Sequence, residues 1–253
     1  MEAITSSGNE KIKLVKSLLS KKGRAKHGLF IAEGGNLVKD IPAGYPVEFI
    51  LLKKSIADKF ADMARAVTNS IYLVEDNIFK TISDTVTPFG VMAVCKQKEP
   101  KAIESSKILA LDNIQNPGNM GTILRSCLAF GFYDIIGISC ADIYSPKVVR
   151  ASMSAIFKLN YIAVDMAAAL EILADYDLAI LDAKGADIRS CAFGKKVALV
   201  LGNESAGVAQ ELKSKGRAVS IPISNAIESL NAGVAASIAM FELKQKEGNN
   251  GGA

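Results

Sequence analysis

Three short stretches of the sequence place polar side chains directly after an apolar run. They are NPGNMGTILRS (116–126), VALVLGNESAG (197–207) and VSIPISNAIESLNAG (219–233). Between them they supply the side chains that could do chemistry: Asn119, Arg125, Glu204, Ser229 and Asn231. In the first stretch, a glycine turn opens a helix, and a helix opened in this way is a ready anion site because its first N–H groups are free.

The first stretch lacks the residues that would bind the phosphates of a dinucleotide. Its turn contains only Gly118 and Gly121, whereas the dinucleotide fingerprint has three glycines, and a phosphate loop adds Lys followed by Ser or Thr. Arg125 stands one turn into the helix instead. A dinucleotide-dependent oxidoreductase therefore stays only a rival interpretation, which binding of labelled NAD would test.

Each of the three stretches, taken singly, also fits an ordinary helix cap. Asn or Ser accepts hydrogen bonds at a helix N-terminus, and the helix dipole favours the carboxylate of Glu204 there. All three, however, follow the ends of strands, and ligands of open parallel sheets bind at the carboxyl ends of the strands. Their concentration predicts one pocket at that edge of a sheet.

Strand and helix patterns alternate twice along the chain. Between residues 28 and 96 four strand patterns alternate with helical ones, which predicts a small α/β layer: GLFIAEG, VEFILLK, SIYLV and FGVMAVCK. Near-continuous apolar runs from residue 107 onward suit strands buried on both faces of a mostly parallel sheet, with helices on both faces: KILAL, DIIGIS, DLAILDA, KVALVLG and AVSIPI. The clearest helices are 166–176 and 230–244.

The composition between and after these units predicts the domain boundaries. QKEPKAIESS (97–106) has the charge, proline and serine content of a linker. The expected organisation is therefore a first domain at 1–96, a linker at 97–106, a second domain at 107–246 and a tail at 247–253.

Composition favours a soluble, cytoplasmic protein without a metal. The longest apolar run near the C-terminus, 232–241, is far short of the roughly 20 residues of a membrane span. The N-terminus lacks the apolar core of a signal peptide. Four scattered cysteines without a CxxC pair and a single histidine, His27, argue against a zinc site and for reduced thiols.

The segment KIKLVKSLLSKKGRAKH (11–27) concentrates positive charge in a chain whose net charge is only +4. Its apolar residues recur at helical spacing, which places the cations on an outer face and in the loop that follows. Such a segment is either a solvated helix face or a surface for a phosphate backbone. The residues proposed for the second role are Lys21, Lys22, Arg24 and Lys26.

The residues from 107 to about 243 resemble a known family. LDNIQNPGNMGTILRSCLAFGF, ALVLGNESAGV and SIPISNAIESLNAGVAASIAMFEL are similar, in order and spacing, to the three motifs of the SpoU/TrmH branch of the SPOUT RNA methyltransferases. VVRASMSAIF (148–157) resembles a stretch between the first two motifs. Residues 1–96, with GLFIAEGGNLVKDI and PFGVMAV, resemble the accessory substrate-binding domain of the family.

The resemblance implies an activity, a cofactor and a partner. Members of the family transfer a methyl group from S-adenosylmethionine to a ribose 2′-hydroxyl of ribosomal or transfer RNA. Their C-terminal segment forms a trefoil knot, and two chains pack through it as a homodimer. We therefore expect methylation of structured RNA, with ribosomal RNA favoured over transfer RNA. A catalytically inactive RNA-binding module of the same fold is the other alternative.

The resemblance also implies residue roles. Arg125 would clamp the phosphate beside the reacting ribose and stabilise the developing alkoxide, since a guanidinium is always protonated and is a poor base. Asn119, Glu204, Ser229 and Asn231 would support it, with Glu204 orienting Arg125 of its own chain or of the partner chain. Cofactor contacts would come from the backbone at three positions: Gly202, Ile221 and Leu230.

Overall fold

A computed structural model describes the backbone of residues 1–250 and the side chains of residues 1–246. The last three residues of the expected tail, 251–253, lie outside the described residues, whereas the final helix continues to Asn250. The chain divides into two compact units. The first comprises Met1–Glu99 and Asp142–Phe157, and the second comprises Pro100–Ala141 together with the chain from Lys158 onward.

Within residues 1–250 the chain forms eleven strands: β1 (Glu2–Ile4), β2 (Leu29–Glu33), β3 (Val47–Lys53), β4 (Ile71–Val74), β5 (Val91–Lys96), β6 (Lys107–Asp112), β7 (Asp134–Ile138), β8 (Asn160–Val164), β9 (Asp177–Asp187), β10 (Val197–Leu201) and β11 (Arg217–Ser220). The α-helices of the same residues are α1 (Glu10–Leu18), α2 (Lys21–His27), α3 (Gly35–Lys39), α4 (Ala61–Val67), α5 (Asp76–Ile82), α6 (Pro117–Phe130), α7 (Pro146–Ser152), α8 (Met166–Leu173), α9 (Gln210–Lys213) and α10 (Ala232–Asn250). Short 3₁₀ helices lie at Lys54–Lys59, Met153–Phe157 and Ile188–Ser190.

The first unit is built on a mixed five-stranded sheet of order β1-β4-β3-β5-β2, in which β5 runs antiparallel to both of its neighbours. One face is covered by α1 and α5, whose apolar residues share a core with alternate residues of the strands. In α1 these are Ile12, Val15 and Leu18, all fully buried. α7 packs against β2. The expected small α/β layer is therefore confirmed.

The second unit is built on a six-stranded sheet of order β11-β9-β10-β6-β7-β8, in which every described pairing is parallel. β6 is buried from Ile108 to Asp112, as expected for a strand covered on both faces. α8 and α9 pack on one face. α10 contacts β10 and packs against α6. The predicted parallel α/β sheet is confirmed.

Two strands were not expected from the sequence. β1 is only three residues long, and β8 lies at an edge of the sheet, where its residues are half-buried or exposed. β1 is too short to form an apolar run, whereas β8 contains the run YIAV, which the prediction missed. β9 also continues beyond the expected DLAILDA to Asp187.

The strand order of the second sheet determines where a ligand site belongs. After β6 the chain continues to β7 and β8 on one side, and β10 later pairs with β6 on the other side. The order therefore reverses between β6 and β10, and ligands of open α/β sheets bind at the carboxyl ends of the strands at such a switch point. The stretches 116–126 and 197–207 both lie there. None of the described helices is long and apolar enough to cross a membrane.

Candidate active site

A cleft of about 340 Å³ lies at the carboxyl ends of β10 and β11, beside the middle of β9. It is lined by the loops of the second and third polar stretches, by residues 181–183 of β9 and by the first turn of α10. All three expected cofactor-contacting residues line it: Gly202, Ile221 and Leu230. Glu204 and Ser229 line it as well. The structure thus brings together residues that are up to 28 positions apart, from Gly202 to Leu230.

A chain of amide and carboxylate side chains connects the first polar stretch with the other two. Asn119 donates from Nδ2 to Oε1 of Glu204, and it accepts at Oδ1 from Nδ2 of Asn231 at 2.8 Å. Asn231 in turn caps α10, because its Oδ1 accepts from the backbone N–H of Gly233 at 3.0 Å. Asn116 caps α6 in the same way at its own N-terminus. The expected convergence of Asn119, Glu204 and Asn231 is therefore present within one chain.

Close packing of α6 against α10 holds this amide network in place. Asn119 is buried, and Gly233 lies so close to Thr122 that an added Cβ would come within 3.1 Å of its side chain. One turn further along, the hydroxyls of Ser126 and Ser237 are 2.6 Å apart. Loss of a hydrogen-bond partner by a buried amide costs about 1–3 kcal/mol of stability, which favours the intact network. The network therefore holds the N-termini of α6 and α10 next to each other at the cleft.

The loop after β10 is held by its own backbone and by Asn203. The backbone N–H of Gly207 donates to the carbonyl of Asn203 at 2.8 Å, and Nδ2 of Asn203 donates to the carbonyl of Asn113 at 3.1 Å. A Cβ at Gly202 would collide with the backbone of Gly207, which is why the turn requires glycine there. Glu204 is thereby presented at the mouth of the cleft.

Asp182 is a cleft residue that sequence reasoning missed. Its carboxylate accepts from the backbone N–H of Lys184 and from Nζ of Lys213, both at 3.0 Å, and these bonds hold the pKa of Asp182 below its usual value. Asp182 is therefore ionised at neutral pH and loses its charge only in acid. The sequence contains a signal that could have identified Asp182: an acidic residue just behind an apolar strand pattern. Asp182 follows DLAIL, as Glu204 follows VALVLG after one intervening residue.

Arg125 lies apart from this network. It is exposed on α6, and none of the described residues accepts a hydrogen bond from its guanidinium or pairs with it. Glu204 bonds to Asn119 and not to Arg125 of its own chain. The arginine is thus free to meet a group from outside the chain.

The cations of the basic segment do not all lie on an outer face. Lys21, Lys22 and Lys26 are exposed on α2, the helix that forms where a loop was expected. Arg24, however, is only 4% exposed, and its guanidinium donates to Asp142 and to the backbone carbonyls of Leu18 and Leu19. The expectation that Arg24 is available to RNA is wrong, because its donors are used in holding α2.

The fold and the cleft define a class: a parallel α/β domain with a ligand cleft at the carboxyl edge of its sheet, together with a mixed α/β unit. Comparison with known proteins identifies the family. A model described as the SpoU rRNA Methylase family matches residues 106–241, and one described as the MRM3-like substrate binding domain matches residues 9–93. The chain belongs to the SpoU rRNA methylase family.

Three similar proteins match this chain over nearly their whole length. The chain is 28% identical to "23S rRNA (guanosine(2553)-2'-O)-methyltransferase RlmP" of Bacillus subtilis (strain 168), over 96% of this chain and 100% of that one. Among solved structures, the AdoMet-bound rRNA methyltransferase from Sinorhizobium meliloti is 26% identical with a TM-score of 0.84, over 97% and 98% of the two chains. A putative RNA methyltransferase of the TrmH family from Porphyromonas gingivalis is 30% identical with a TM-score of 0.82, over 96% and 100%.

Proposed function

We propose that this chain transfers a methyl group from S-adenosylmethionine to a ribose 2′-hydroxyl of ribosomal RNA. The observation that carries the proposal is the Asn119–Glu204–Asn231 network, which stands at the mouth of the cleft that Gly202, Ile221 and Leu230 line. Membership of the family and the names of its relatives support the reaction and the class of RNA.

The cleft fits S-adenosylmethionine better than it fits a dinucleotide. Its volume of about 340 Å³ lies within the range of small-molecule pockets, and Leu201, Ile221 and Leu230 offer apolar surface to an adenine ring. Its charged lining consists of Asp182, which is paired with Lys213, and Glu204, which bonds to the uncharged amide of Asn119. The carboxylate of Glu204 suits a ligand that carries a sulfonium and an ammonium, whereas it would repel the phosphates of a dinucleotide.

When bound, the cofactor supplies a methyl group on a sulfonium, which leaves a neutral thioether. The chain must hold the ribose hydroxyl in line with that methyl and favour negative charge on its oxygen. We assign this to Arg125, which holds the neighbouring phosphate and stabilises the developing alkoxide, while Asn119, Glu204 and Asn231 fix the loops around it. Ser229 lies at the cleft beside Leu230 and contributes a hydroxyl donor.

We further propose a homodimer through the second domain, with the trefoil knot that the resemblance implies. The exposure of Arg125 supports a site completed by a second copy, because its own chain gives the guanidinium no described partner. In this arrangement the first unit, Met1–Glu99 with Asp142–Phe157, captures RNA and the second unit transfers the methyl group. A location in the cytoplasm is part of the same proposal, because it fits ribosomal RNA as the substrate.

A transfer assay with radiolabelled cofactor tests the function. Purified protein is incubated with methyl-labelled S-adenosylmethionine and transcripts of large-subunit rRNA, small-subunit rRNA and tRNA. We expect label in rRNA at a phosphodiester that resists alkaline hydrolysis, because methylation removes the 2′-hydroxyl that attacks the phosphate. Label only in tRNA would contradict rRNA as the substrate, and label on a base would contradict methylation of the ribose. RNA binding without any label would favour the catalytically inactive module.

A further inference from the structure

A second cavity, of about 380 Å³, lies wholly within the first unit. Its lining comes from the end of β2 and the start of α3, the segment before α4, the loop before β5 and the end of α7: Glu33, Gly34, Gly35, Asn36, Leu37, Lys59, Phe60, Phe89, Arg150 and Met153. These include parts of EGGN, PFGV and VVRASM, the motifs that the methyl-transfer site does not use. The cavity is large enough for one nucleotide.

Two phenylalanine rings border the cavity, each set against a glycine. The ring of Phe60 lies over Gly35, where an added Cβ would approach Cε1 to 2.9 Å. The ring of Phe89 lies over Gly34, whose φ of +122° is available to glycine but strained for other residues. Phe89 is nevertheless 51% exposed. An exposed ring on a cavity wall is a platform on which an unpaired base can stack.

Hydrogen-bonding groups of both kinds line the same cavity. Arg150 donates from Nη2 to Asp84 at 2.9 Å, whereas its Nη1 is buried and has no hydrogen-bond partner among the described residues. Glu33 is only 4% exposed, and its Oε1 accepts from the hydroxyl of Ser83 at 2.6 Å. An unpaired buried guanidinium nitrogen is costly, so an acceptor is expected to reach it.

Lys59 adds a positive charge at the rim. Its side chain is exposed, and its ammonium lies 5.4 Å from the centroid of the Phe60 ring. A lysine in this position can meet the phosphate of a nucleotide whose base occupies the cavity. Proteins hold unpaired RNA bases by stacking them on an aromatic ring or a guanidinium and by offering hydrogen-bond donors and acceptors to their edges.

We propose that this cavity binds one unpaired nucleotide of the RNA substrate. Its base stacks on Phe89, and the hydrogen-bonding edges of the base face Arg150 and Glu33. Guanine fits best, because it offers acceptors at O6 and N7 to an arginine and donors at N1 and N2 to a carboxylate. The proposal rests on the proposed function in that the ligand is RNA, but it concerns capture and not methyl transfer.

A single introduced tryptophan reports directly on this cavity, since the chain contains no tryptophan. In full-length Phe89→Trp protein, the pentamer RNA UUGUU is expected to quench the fluorescence at lower concentration than UUAUU or UUUUU. Val86→Trp is the matched control, because Val86 is 97% exposed in the same loop and does not line the cavity. Equal quenching of both variants, or none in either, would overturn the site, and equal response to the three RNAs would overturn the preference for guanine.

Removal of the platform tests its role in RNA capture. We expect Phe89→Ala to raise the KM for the methylated RNA by roughly 5-fold to 150-fold, the range for one base–aromatic stack. Lys59→Gln should weaken RNA binding more than Arg65→Gln, which removes the same charge from an exposed position paired only with Asp62. Affinity for S-adenosylmethionine monitors folding. An unchanged KM in Phe89→Ala overturns this inference alone, whereas absence of methyl transfer by the unsubstituted chain overturns the proposed function alone.

Discussion

Asn119 is the residue on which the geometry of the candidate active site depends most. Its amide nitrogen donates to Glu204, its amide oxygen accepts from Asn231, and its own backbone N–H is capped by Asn116 at 3.2 Å. Asparagine suits this position because its amide places a donor and an acceptor on two separate atoms, so that it can bond Glu204 and Asn231 at once. An aspartate would face Glu204 with a like charge. We therefore propose that Asn119 is a positioning residue, which holds Glu204 and Asn231 at the cleft.

Arg125 is expected to act on the RNA and not on the cofactor. Arg125→Ala should bind S-adenosylmethionine with nearly unchanged affinity, because Arg125 does not line the cleft. Methyl transfer should fall by more than about tenfold, or roughly 1.4 kcal/mol of barrier. Arg125→Lys should fail as well, since an ammonium cannot replace the planar guanidinium fork. Calorimetry of cofactor binding beside single-turnover rates measures both quantities.

Arg65→Ala provides the comparison for the removal of one exposed arginine, since Arg65 pairs only with Asp62 and lies in the first unit. Its rate should equal that of the unsubstituted protein. If the rate of Arg125→Ala fell less than tenfold, or its cofactor binding fell in parallel, Arg125 would not be the group that stabilises the alkoxide.

At the scale of elements, the basic segment separates into two helices for a local reason. The first helix ends at Leu18, and Ser20 caps the second, since its hydroxyl accepts from the N–H of Gly23 at 3.0 Å. Gly23 is needed because a Cβ there would collide with the carbonyl of Ser17. Helical periodicity identified α1, whose apolar residues point to the core. It could not identify the partner of Arg24, because Asp142 lies 118 residues away in the sequence.

The three exposed lysines of α2 are expected to set the salt dependence of RNA binding. Replacement of Lys21, Lys22 and Lys26 together by Ser should weaken binding strongly at low salt. Removal of each lysine that meets a phosphate should flatten the plot of log affinity against log salt by roughly 0.7 to 0.9. At high salt the two proteins should converge, because screening has already removed the attraction. Filter binding across a salt series measures the slope.

Arg24 must stay in this variant, since its burial makes it part of the fold. The matched control is Lys13→Ser, because Lys13 is exposed on α1 but pairs with Glu10. A slope that does not change in the triple variant would mean that α2 is a solvated helix face and that RNA is captured elsewhere.

At the scale of the whole molecule, the parallel sheet and the convergence of its polar loops could both be predicted from the same pattern in the sequence. Buried strands such as β6 and β10 read as apolar runs, and their polar ends necessarily meet at one edge. Strand order could not be predicted, because it depends on pairings between distant segments, such as β10 with β6. The cavity beside Phe89 could not be predicted either, since it joins four segments that no spacing relates.

The arrangement of α10 changes the expected basis of the dimer. Its small residues Ala232, Gly233 and Ala236 are buried, and Gly233 packs against α6 of the same chain. These three residues are therefore not available to a second copy. Val234 and Phe241 are 45% and 43% exposed, and they lie at helical spacing on one side. This stripe, together with the exposed Arg125 of α6, is where we expect the partner chain.

If the dimer forms there and Arg125 completes the partner's site, two inactive variants should restore each other. A heterodimer of Arg125→Ala and Glu204→Ala chains contains one site with both residues intact only when the site spans two chains. When the two variants are co-expressed and pair at random, half of the dimers are heterodimers, and one of the two sites in each is intact. The mixture should therefore recover about one quarter of the unsubstituted activity, and two affinity tags identify the heterodimers. Neither variant alone should be active, and the Phe241→Glu variant should sediment near the 26.8 kDa mass of one chain and lose the recovery. Heterodimers that remain as inactive as their parents would place Arg125 in the site of its own chain.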